Sequence, residues 1–135
     1  MRVRFIILVF RCAAILILVL GARALARTTS SGSDSVPSPQ QAQITAVTVQ
    51  QLNPSHDRAN VVHVYHIVVF GRYALADWTA RQGGGKTALA QSHGAWRVIG
   101  VGDLRLGAAA LEKFGVPSRA ARILAERMRQ AWEEE

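Results

Sequence analysis

The chain has 135 residues, half of them hydrophobic, with 16 Lys and Arg against 9 Asp and Glu, a formal charge of +7, and one cysteine. A lone cysteine excludes an intramolecular disulfide, so a hydrophobic core must hold the fold, and this length supports one such core. Four of the arginines (Arg2, Arg4, Arg11, Arg23) lie in the first 26 residues; without them 12 basic groups face 9 acidic ones, and a balance of +3 argues against a nucleic-acid partner.

Residues 1–26, MRVRFIILVFRCAAILILVLGARALA, combine a basic start, an apolar run and a small-residue end. Ala24 and Ala26 flank Leu25 in the A-x-A form of a signal-peptidase site, which predicts cleavage before Arg27 and a periplasmic or secreted product. The competing reading is a retained membrane anchor over residues 5–20, against which Arg11 counts, because a mid-span charge costs about 2.5–3.5 kcal/mol on insertion scales.

Residues 27–41, RTTSSGSDSVPSPQQ, hold few large apolar groups and read as a flexible Ser/Thr/Pro-rich leader. From residue 42 to 135 a single domain is expected. AQITAVTVQQLN suits a short helix or a strand, and the helix is preferred against its β-branched content. Val61 to Phe70 is a β-branched and aromatic run, Gly71-Arg72 a two-residue type II′ turn, and Tyr73 to Ala80 an alternating second strand. Thr87 to Ser92 and Ala95 to Val101 add two strands around a tight turn at His93-Gly94. Asp103 is placed to cap a helix over Leu104 to Phe114, closed by Gly115. Pro117 fits the first turn of a last helix, whose expected buried stripe is Ala121, Leu124, Met128 and Trp132. The fold class is therefore α+β: a four-stranded antiparallel meander packed against two C-terminal helices, with a short N-terminal helix ahead of it and the helices on one face of the sheet.

ARQGGGKT, residues 80–87, has the look of a phosphate loop without its spacing. The motif wants glycine five places before Gly85, where Ala80 stands, and a long helix after Lys86, where TALAQS alternates instead. Gln82 to Gly85 is read as the loop joining the second and third strands. Strand alternation sends His63 and His66 to opposite faces, which disfavours one ion held by both. With no cysteine after residue 26 and Met128 the sole remaining methionine, no metal site is expected beyond surface coordination at His63, His66 or His93. Asp77 and Asp103 are the only acids between Asn60 and Asp103, and neither G-x-S-x-G nor H-E-x-x-H occurs. No catalytic residue and no cofactor is assigned.

Several motifs between Tyr73 and Ala121 occur in a telling order: YALADW with Tyr73, Asp77 and Trp78; Gly84-Gly85 followed by ALA; GAWRVI with Trp96; Gly102-Asp103; and LEKFGVPSRAA with Gly115 and Pro117. In these the chain resembles the copper uptake system-associated proteins, a family of small exported bacterial proteins. The resemblance implies a connection with copper acquisition, and no reaction or ligand set. The family pattern places a cysteine near the position of Val101. Together these readings point to an exported, non-enzymatic accessory domain that binds an unknown protein or small ligand of the cell envelope on its sheet face, touching the membrane only through an uncleaved signal segment. The alternative is a small hydrolase or isomerase with a pocket between sheet and helices.

Overall fold

A computed structural model describes residues 37–134. The expected signal segment with Ala24 and Ala26, and the leader up to residue 36, lie outside the described residues.

Helix α1 (Pro39–Leu52) starts three residues ahead of the expected boundary, because Ser38 and Gln41 form a reciprocal capping box and Pro39 occupies the first turn. That start decides between helix and strand for this segment. Four strands follow, β1 (His63–Phe70), β2 (Tyr73–Ala80), β3 (Gly83–Ser92) and β4 (Ala95–Gly102), in the order β1-β2-β3-β4 and all antiparallel. Gly71 has φ +59°, and His93 and Gly94 have φ +50° and +78°, the left-handed conformations that two-residue hairpin turns need.

The glycine stretch is not a loop. Arg81 and Gln82 alone make the turn, and Gly83, Gly84 and Gly85 pair with Ala80, Thr79 and Trp78 as the first residues of β3. Glycine is a poor strand former, yet here it is demanded: a Cβ on Gly85 would run into the Gly102 carbonyl oxygen on β4 and would lie 3.0 Å from Trp78 Cζ2.

The segment after β4 also departs from expectation. Helix α2 (Ala108–Lys113) is shorter than 104–114 and has Gly107, not Asp103, as its N-cap. Asp103 closes a turn instead, its Oδ1 accepting from the Arg105 N–H at 2.9 Å and its carbonyl from the Leu106 N–H at 3.1 Å. That turn drops Leu106 into the core beside Gly102, where a Cβ would collide with it. Gly115 (φ +89°) ends α2 as expected, with the Val116 N–H donating to Leu111 O and the Gly115 N–H to Glu112 O. Pro117 then caps helix α3 (Ser118–Glu133) and its carbonyl accepts from the Ala121 N–H.

The helices cover both faces of the sheet, not one. Leu75 and Ala88 face α2 and α3, packing with Leu111, Leu124 and Met128, while Ala74, Ala76, Leu89 and Trp96 face α1 and pack with Ile44. The alternation in β2 explains both layers, since Ala74 and Ala76 point opposite to Leu75 and Asp77. Trp132, expected in the buried stripe of α3, is 46% exposed. Among the described residues no helix is long and apolar enough to cross a membrane.

Candidate functional site

Strand β1 does not keep strict alternation. Val64 pairs with Trp78 and Ile67 with Ala76, so Tyr65 and His66 together stand opposite Asp77: a β-bulge of one extra residue. Val64 and Ile67 both pack on the α1 side, and His63 pairs with Thr79, which lies on the α3 side with Asp77. The bulge therefore brings His63 and His66 to the same face, overturning the expectation that they point apart.

At the bulge the carboxylate of Asp77, 1% exposed, accepts from the His66 backbone N–H at 2.6 Å, and its second oxygen lies 3.1 Å from His66 Nδ1. The two contacts fix the position of the imidazole against the carboxylate. The amide contact also explains why a carboxylate can stand in the core, since it satisfies the donor that the bulge removes from the ladder. The Trp132 ring packs on His66 with centroids 5.0 Å apart and planes inclined by 53°. Beside it the Thr79 hydroxyl donates to Tyr65 Oη at 3.2 Å, with Tyr65 58% exposed.

Lys86 stands opposite Asp77 on β3 and, with Leu104, Arg129 and Trp132, lines a shallow depression of about 390 Å³ near the end of α3. Arg129 is committed within its helix: it donates to both oxygens of Glu126, at 3.0 and 2.6 Å, and to Glu133. These bonds hold the Glu126 carboxyl below the ordinary carboxylate range and the Arg129 guanidinium above its own.

The structure thus gathers His63, Tyr65, His66, Asp77 and Thr79 on one end of the α3-facing surface. His93 lies in the turn at the other end of the sheet. Among the described residues no three His, Cys, Asp or Glu side chains come together as a metal site, so His63 and His66 offer at most two imidazoles from one face. The motif residues Tyr73, Trp78, Gly84, Gly85, Trp96, Gly102, Asp103, Gly115 and Pro117 serve strands, turns and core, while Asp77 alone of that set enters the polar cluster. Tyr65 and Thr79 were not singled out in the sequence, where Lys86 was read only in the glycine stretch and Trp132 only in a buried stripe. The recurrence of polar residues in HVYH was the one trace of Tyr65, and it becomes meaningful only with the bulge.

Comparison with protein-family models, with curated proteins and with solved structures finds no match in any of the three. The resemblance to the copper uptake system-associated proteins rests on its motifs alone.

Proposed function

We propose that this chain is an exported, non-enzymatic accessory domain of the cell envelope, connected with copper handling, that engages a partner through the open end of its α3-facing sheet surface. The observation that carries this reading is the pairing of exposed Tyr65 and Trp132 with half-buried His66 and its buried partner Asp77 on one face. Aromatic groups with a wet rim and a fixed polar centre suit recognition better than they suit a solvated surface. Affinity capture from the native envelope, with the full-length chain beside a Tyr65→Ala/Trp132→Ala variant, tests it. A partner held by the native chain and lost with the variant is expected; equal recovery by both would sink the reading. Copper itself is expected to bind weakly, with Kd above ~1 µM. Submicromolar one-to-one binding in calorimetry, abolished by His63→Ala, would make the domain a copper carrier instead.

The orientation of His66 by Asp77 favours a second reading, a small hydrolase in which the imidazole acts as general base. Hydrolysis of simple esters that falls ~10²-fold or more in Asp77→Asn supports it. Turnover that is absent, or indifferent to this change, removes it.

A further inference from the structure

At the end of α3 away from Trp132, arginines gather beside the turn between β1 and β2. Arg72 in that turn and Arg119, Arg122 and Arg127 on α3 are exposed, and none of the four makes an ion pair among the described residues. Two depressions follow one another along this stretch and share Arg119 as a wall. One, of about 260 Å³, is walled by Phe70, Tyr73 and Pro117; the other, of about 440 Å³, lies beside Arg122 and Ile123. Glu126 is the one acid lining either, and Arg129 and Gln130 already occupy its oxygens.

Two of these cations work against the helix that carries them. Arg119 and Arg122 stand near the start of α3, at the positive end of the helix dipole, with no acid in the first turn to offset them, and at a spacing of three they repel each other. Arg122 donates through Nε to Ser118 O, which leaves its two terminal nitrogens without a partner among the described residues. The other two arginines are held in place: Arg127 donates to Val69 O and lies 5.5 Å from the centre of the Phe70 ring, and Arg72 lies 6.0 Å from that of Tyr73. The result is an apolar recess with a cationic rim whose counter-charge has to come from outside.

We propose that this stretch docks an extended acidic segment of a partner protein, with one apolar side chain seated against Phe70, Tyr73 and Pro117 and the flanking carboxylates on Arg119 and Arg122. A guanidinium presents two parallel N–H groups to a carboxylate, the strongest pairing open to an exposed arginine. From Arg119 to Arg127 the helix advances about 12 Å, the length of roughly four extended residues. A free inorganic anion would leave the apolar recess empty. A bilayer fits worse, because it takes up apolar groups that project from the protein, whereas Phe70 and Tyr73 are half-buried with a guanidinium near each ring. The surface lies at the other end of α3 from Trp132, so it neither rests on the reading of the His66 end nor fails with it.

The test is fluorescence anisotropy of a labelled, end-blocked peptide DEFDE titrated with the full-length chain at low salt, beside QNFNQ, which lacks the charge, and DEGDE, which lacks the ring. The expected Kd for DEFDE is ~10–100 µM, weakened ~10-fold or more in either control peptide, in ~0.5 M salt, and in Arg119→Glu/Arg122→Glu. Arg97→Glu/Arg105→Glu makes the same change of charge elsewhere on the surface and should bind as the native chain does. Because Arg119→Glu/Arg122→Glu places acids where the helix dipole favours them, its melting temperature should hold, which separates lost docking from a lost fold. No saturable binding of DEFDE up to ~500 µM chain would overturn the proposal, as would native affinity in Arg119→Glu/Arg122→Glu, equal losses in the two charge variants, or equal binding of DEGDE. Phosphatidylglycerol vesicles that bind the native chain, fail to bind Arg119→Glu/Arg122→Glu and are not displaced by DEFDE would overturn it in favour of a lipid surface.

Discussion

A side chain at position 100 would have nowhere to go. Gly100 pairs with Ala88 on the α3-facing surface, and a Cβ there would run into the ring of Phe114, the residue that closes α2. Interiors are packed like crystals, so one added methyl group is felt. Gly100→Ala is expected to cost ~1–3 kcal/mol in urea unfolding. A loss below ~0.5 kcal/mol would show that the ring swings aside without penalty. Gly85 acts likewise against the Gly102 carbonyl, and Gly102 beneath Leu106, which is why glycines that look like punctuation in the sequence belong to packing here. Their neighbours in space are distant in the chain, and no local pattern announces them.

Among the elements, α1 shows how a short polar signature can override propensity. Its β-branched residues weaken it as a helix, while Ser38 and Gln41 satisfy two of the amides left open at its start. Ser38→Ala is therefore expected to lower stability by ~1 kcal/mol, and Ser38→Asp, which keeps a capping oxygen, by much less. Equal losses in thermal unfolding would mean that the cap contributes nothing. The elements legible beforehand carry their own local chemistry: β2 between its turns, left-handed Gly71 and Gly94, and the Gly115 break between two helices. Those that shifted depend on partners elsewhere. β3 extends through three glycines because β2 supplies its ladder, and α2 begins late because Leu106 is drawn into the core. The candidate site was the least legible part, since one extra residue in β1 reverses the faces of half a strand. The proximity of Trp132 to His66 required the placement of α3 as well.

Taken whole, the domain is a sheet with a core on each side. Ile44 and Met128, both fully buried, belong to different clusters on opposite faces. Replacing either with alanine is expected to cost ~2–5 kcal/mol through lost burial and the cavity left behind. Because the two sites share no partner, the costs should add to within ~0.5 kcal/mol in the double variant. A larger coupling in denaturant titrations would mean that the sheet passes strain between its two layers. The same layering confines the His66 end to one side of the sheet, so it can be altered while the α1-side core reports that the fold survives.

The kink at Tyr65 and His66 has one more effect. β1 is an outermost strand, and its outer rim offers backbone groups to any passing extended chain. A rim broken by an inserted residue twists away from such a template, so the irregularity that collects the histidines also discourages the molecule from joining its neighbours into fibrils.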